Sequence, residues 1–158
     1  MTPAERLRYL VLAAQREGNR HLARELAPLG LTPSQGEVLR ILGDHAPLTL
    51  SGLGELLVCE SGSNPSRLVD RLVSAGLVER VPGAVDRRQV TLTLTAAGGD
   101  AEARVRDIEA GLHGRIDAVL ADAEVDGAAL LDALQRLSAG APAGLALEKR
   151  IRAGSPAV

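Results

Sequence analysis

The sequence has no Phe and no Trp, and it holds one Tyr (Tyr9), one Cys (Cys59), one Met and one Lys (Lys149). Without aromatics the core must be built from Leu, Val, Ile and Ala. Flipped-out bases cannot stack on aromatic rings, which argues against a reader of single strands or RNA. One Cys cannot close an internal disulfide and excludes Cys-rich zinc sites. No apolar run approaches the roughly 18 residues of a membrane span. The N-terminal MTPAERLRYLV carries charges among its apolar residues, unlike a signal peptide. The expected compartment is the cytoplasm, with no membrane partner. What remains is a chain of 158 residues, enough for one domain with long flanking helices. It is 46% hydrophobic, ample for a core, and its 24% of charged residues argues against global disorder.

Apolar periodicity predicts a long helix over 4–28, with Leu7, Leu10, Val11, Ala14, Leu22 and Leu26 at helical spacing. Pro28 and Gly30 end it. Thr32 and Pro33 form a helix start, and the second helix runs to about Asp44. Leu48-Thr-Leu50 reads as a short extended piece, and Ser51 as the cap of a third helix. A turn over Cys59–Ser63 leads to a fourth helix, about 63–75, with Leu68, Val69, Leu72 and Val73 inward and Gly76 as its stop. The period then changes. Residues 77–81 and 90–95 read as two strands around a charged loop, a hairpin. From Ala96 the helical period returns, with Gly98 and Gly99 weakening the first turn. A last helix over 124–138 is expected to bury Leu130, Leu131, Leu134 and Leu137. Residues 139–158 read as a loose tail with a short helical piece at 145–152.

Short helices followed by a two-stranded hairpin give a mainly α fold with a small β wing, the order of a winged helix-turn-helix. Such a motif offers its second helix to the DNA major groove. Its wing loop lies near the backbone and the minor groove, where a protruding Arg meets enhanced negative potential. Helix 63–75 fits the first role: Ser63, Asn64, Ser66, Arg67 and Arg71 fall on its N-terminal or solvent side. Ser and Asn suit phosphate and adenine contacts, and Arg suits guanine or phosphate. Residues 61–90 hold five Arg against three acids, a net +2, whereas the whole chain is −2. The basic excess therefore sits in this segment.

Several segments in this order carry a resemblance: Leu31-Thr-Pro-Ser-Gln35, Val38-Leu-Arg-Ile-Leu42, Leu48-Thr-Leu-Ser-Gly-Leu53, Ser66-Arg-Leu-Val-Asp-Arg-Leu72, Ala75-Gly-Leu-Val-Glu-Arg80, Asp86-Arg-Arg88 and Leu92-Thr-Leu-Thr-Ala-Ala-Gly98. Together, over about residues 31–100, they resemble the MarR (multiple antibiotic resistance regulator) family of bacterial winged-helix transcription factors. The resemblance implies a homodimer. The helical regions 1–30 and 96–138 would form its dimerisation domain, with the winged helix-turn-helix at 31–95 and the tail at 139–158. It implies repression from a near-palindromic operator, relieved by a small-molecule effector, so the partners are double-stranded DNA, a second copy and that effector. Ser66, Arg67 and Arg71 match the recognition helix. In the wing loop, which holds Arg87 and Arg88, Arg88 matches the arginine that enters the minor groove and Asp86 the acid that braces it. Tyr9 and Arg16 lie on the helix that lines the effector pocket in the family. The lead-in from Val58 to Pro65 departs from the pattern by being slightly longer. It leaves Asn64, Ser63 or Ser61 as the cap of the recognition helix.

Two other readings stand beside this one. Cys59 as a thiol switch needs access and a lowered pKa, and the neighbouring Glu60 opposes the latter. A winged helix turned to protein contact, with weakened DNA binding, would fit the altered lead-in and the overall charge. His21, His45 and His113 are far apart and lack ligand spacing, so no metal is expected. No glycine-rich phosphate loop and no nucleophile elbow is present, so neither an enzyme nor a cofactor is expected.

Overall fold

The computed structural model describes residues 1–58, 64–83, 89–122 and 125–154. Helix α1 spans Pro3–Leu26 and begins with a capping box between Thr2 and Glu5. A 3₁₀ turn at Ala27–Leu29 closes on Gly30. Helix α2 (Pro33–His45) starts as its sequence predicts: Thr32 and Gln35 form a second capping box, and Pro33 takes the first helical position. Strand β1 (Leu48–Thr49) runs straight into α3 (Leu50–Gly54). The cap of α3 is Thr49 and not the expected Ser51: the Thr49 hydroxyl accepts from the Gly52 N–H at 3.0 Å. Thr49 is held extended by pairing with Thr91, so the helix begins earlier than composition alone indicates.

Helix α4 (Pro65–Ser74) is followed by β2 (Val78–Pro82) and β3 (Val90–Leu94). The sheet has three strands, not the two of a simple hairpin. Its order is β1-β3-β2, antiparallel throughout, with Leu48 opposite Leu92 on one side and Arg80 opposite Leu92 on the other. Helices α5 (Ala96–Asp122), α6 (Gly127–Ser138) and α7 (Pro142–Gly154) complete the chain. The core is aliphatic. Leu26, Val38, Leu39, Ile41, Leu42, Leu53, Val69, Leu72, Val78, Leu92 and Val105 are all at most 2% exposed, which seats α4 and the sheet on α2 and α5.

Charge joins the same elements. The Arg40 guanidinium of α2 pairs with Glu102 and Glu109 of α5, and Arg106 of α5 bridges Glu102 to Asp44 of α2. Arg40 and Glu102 are largely buried, where a paired and multiply bonded charge is tolerated but an orphaned one is costly.

Two expectations are corrected. The stretch read as a loose tail forms α7 from Pro142 onward. Its glycine is a packing device: a Cβ on Gly144 would lie 2.1 Å from the Ser138 carbonyl oxygen, so only glycine lets α7 fold back so closely on the end of α6. The apolar stripe of α6 is not buried within the chain. Leu130, Leu131 and Leu137 are exposed and Leu134 half-buried, because no element among the described residues covers that face. Leu7, Leu10 and Val11 of α1 and Ile116 and Val119 of α5 are exposed as well.

Gly98 has the opposite role from the one composition gives it. A Cβ there would sit 1.9 Å from the Leu77 carbonyl oxygen, whereas a Cβ on Gly99 meets nothing within 4 Å. Gly98→Ala should therefore destabilise by about 1–3 kcal/mol, as forced overpacking does. Gly99→Ala should stabilise by about 0.5–1 kcal/mol through helix propensity. Thermal melts of the two variants check this, and equal melting temperatures would contradict it.

Candidate nucleic-acid interface

Helix α4 is divided by its own periodicity. Leu68, Val69 and Leu72 are buried, Val73 is half-buried, and the opposite face carries exposed Asn64, Arg67, Asp70, Arg71 and Ser74. Its start is settled by Asn64, whose Oδ1 accepts from the Ser66 N–H at 3.0 Å, with Pro65 following at the first helical position. Of the three caps the sequence left open, Asn64 is the one in place. Ser66 is half-buried in the first turn.

Arg67 and Arg71 lie one turn apart on the exposed face. Neither guanidinium has an ion pair or side-chain hydrogen bond among the described residues. Asp70, between them in sequence, is the one acid of the helix, and Arg80 of β2 holds its carboxylate at 2.6 Å. That contact is half-exposed and adds little stability. Its effect is electrostatic and geometric: it neutralises the acid that would repel a polyanion, and it ties the helix to the wing strand.

The wing begins in register. Val78 faces Leu94 and Pro82 faces Val90, and the Gly83 N–H donates to the Gln89 carbonyl at 2.7 Å. The wing-loop residues Asp86, Arg87 and Arg88 lie outside the described residues, as do Cys59, Glu60 and Ser63.

Tyr9 and Arg16 sit on the exposed surface of α1, with the Arg8 guanidinium 5.2 Å from the centre of the Tyr9 ring. Neither lines the cavity between α1 and α5, about 390 Å³, which is bounded by Gly18, His21, Arg24, Leu112, Arg115 and Ile116 among others. Sequence reasoning missed His21, Arg24 and Arg115 as a group, since only the pairing of two distant helices brings them together. It also missed the Arg80–Asp70 brace. The spacing of ten residues between these opposite charges, across a helix stop and into a strand, was the available signal. Among the described residues no cluster of His, Cys, Asp or Glu could hold a metal ion, and no helix is long and apolar enough to cross a membrane.

Helices α2, α3 and α4 with the β2–β3 wing define a winged helix-turn-helix protein. The sequence profile of the MarR family matches residues 29–89. The multiple antibiotic resistance protein MarR of Escherichia coli is 35% identical over 89 residues, taking in 56% of this chain and 61% of MarR. The organic hydroperoxide resistance transcriptional regulator of Bacillus subtilis is 29% identical over 106 residues, 67% of this chain and 71% of the regulator. In three dimensions the chain matches a cysteine-to-serine mutant of E. coli MarR complexed with operator DNA. That match has a TM-score of 0.68 and 30% identity, over 84% of this chain and 93% of the other. The chain belongs to the MarR family of transcriptional regulators, a class that is not enzymatic.

Asn64→Ala should cost about 1 kcal/mol of stability by exposing uncapped N–H groups at the start of α4. Chemical denaturation checks this. A midpoint equal to that of the parent would show that Asn64 does not cap the helix in solution.

Proposed function

We propose that the protein is a cytoplasmic repressor that binds a near-palindromic operator as a homodimer and is released by a small-molecule effector. The observation that carries the reading is the exposed face of α4. Two Arg side chains project there without partners among the described residues, and the single acid among them is neutralised from the wing. The similarity to MarR bound to operator DNA supports the same role for this face. Ser66, Arg67 and Arg71 would contact base edges and phosphates in the major groove, with Asn64 and Ser63 at the helix start near the backbone. Arg88, braced by Asp86 and flanked by Arg87, would enter the minor groove.

The homodimer is supported by the uncovered apolar side chains of α1, α5 and α6. Val119, Leu131 and Leu137 are each more than 60% exposed in the single chain, and apolar patches of this kind mark interfaces. A second copy covering α1, α5 and α6 would set the separation of the two α4 helices, about 34 Å for half-sites one turn apart. The effector is supported by the α1–α5 cavity. Its aliphatic walls and the cations Arg24 and Arg115, against one acid, Glu17, that is paired with Arg20, suit a small amphipathic anion. A ligand binding one spacing of the heads better than the other would shift the population away from the DNA-competent form.

Arg67→Ala and Arg71→Ala should each weaken operator binding by about 1–3 kcal/mol and leave the melting temperature unchanged. Fluorescence anisotropy with a labelled duplex checks this, and parental affinity in both variants would remove α4 from the interface. Leu131→Asp should convert the dimer to a monomer in light scattering, because it places a charge in a desolvated seam. A dimer that persists in that variant would place the interface elsewhere.

A further inference from the structure

Glu37 of α2 is a buried acid outside the DNA-facing surface. Its side chain is 7% exposed, and two of its bonds join distant parts of the chain. Its Oε1 accepts from the Val58 N–H at 2.9 Å, just past α3 in the segment that leads into α4. The same oxygen accepts from the Arg150 guanidinium of α7, also at 2.9 Å. One residue earlier on α7, Lys149 reaches Glu55 at 2.7 Å, and this hydrogen bond and charge hold the Glu55 carboxyl below its usual pKa. Ala146 is buried, on the same side of α7, and it lines a cleft of about 400 Å³ together with Val58, Pro65 and Leu145. Pro65 is the first residue of α4. The C-terminal helix is thus moored at two points near the end of α3: directly to Glu55, and through Glu37 of α2 to the Val58 amide.

We infer that α7 positions the recognition helix, with Arg150 and Glu37 as the positioning residues that fix where the chain leaves α3 and starts α4. A buried carboxylate needs a fixed cation, and Arg150 supplies it. With Arg150 in place Glu37 is held, and through it the Val58 backbone. With Arg150 removed, the hold on Glu37 and on the Val58 N–H it accepts from is weakened, α7 loses one mooring and the start of α4 is freed to vary. Operator affinity then falls because the recognition helix must be ordered during binding. Neither residue touches DNA in this account. The inference rests on the operator-binding reading.

The test uses the full chain with Arg150→Gln and the conservative Arg150→Lys. Hydrogen exchange is followed at α7 and at the Val58 amide without DNA, and operator affinity is measured across a salt series. In Arg150→Gln, exchange at α7 and Val58 should accelerate, and operator affinity should fall about 5- to 30-fold. The slope of affinity against salt should be unchanged, because no phosphate contact is lost. Arg150→Lys should restore most of both. Unchanged exchange at Val58 overturns the inference, as does faster exchange with parental affinity. A salt slope reduced by about one would make Arg150 a phosphate contact and also overturn it. Failure of the parent protein to bind any duplex would refute the operator reading instead, and the exchange measurement, which needs no DNA, separates the two failures.

Discussion

The burial of Leu68, Val69 and Leu72 fixes the rotation of α4 about its own axis, and the proposed DNA contact depends on that rotation. These three side chains enter a core made only of aliphatic residues, at most 6% exposed. Once they are seated, Arg67 and Arg71 have one direction left to point. Volume in such a core is felt to the methylene, so the position of α4 is set as finely as the packing of Val38, Ile41 and Leu53 around it. A polar residue at 69 or 72 would disturb the reading face without touching it.

Charge then fixes how the winged helix sits on the rest of the chain. The Arg40, Asp44, Glu102, Arg106 and Glu109 cluster locks α2 to α5, and the Glu37–Arg150 pair locks α2 to α7. Both clusters sit on α2, one toward the long helix with an uncovered apolar face and one toward the chain's end. In the proposed dimer, a change in how two copies pack through α5 and α6 would reach α4 through α2 and the core beneath it.

The parts of this arrangement that depend on neighbours in sequence were legible in advance. Thr32-Pro33 starts a helix because cap chemistry is local, and the same chemistry narrowed the start of α4 to Asn64, Ser63 or Ser61. The alternation of Val90-Thr-Leu-Thr-Leu94 marks a strand because the period of two is local as well. The misreadings have non-local causes. Ser51 looks as good a cap as Thr49 until β3 pairs with Thr49 and holds it extended. Gly98 looks like a helix-weakening residue, and Gly144 like part of a loose tail, until the Leu77 and Ser138 carbonyls are found against them. Arg40–Glu102 and Arg150–Glu37 join residues 62 and 113 apart in sequence, with no motif to announce either pair. The exposure of Arg67 and Arg71 on α4 was legible in the helical period. The Arg80 that neutralises Asp70 required the β2 geometry.

The central claim is that α4 reads double-stranded DNA. It is tested most directly by titrating the purified protein against the DNA upstream of its own coding sequence, across a salt series, with a scrambled duplex of equal length as control. The account predicts tight binding that prefers the natural sequence and weakens steeply with salt, as expected when Arg side chains displace phosphate counterions. Equal affinity for the natural and scrambled duplexes at every salt concentration would contradict it.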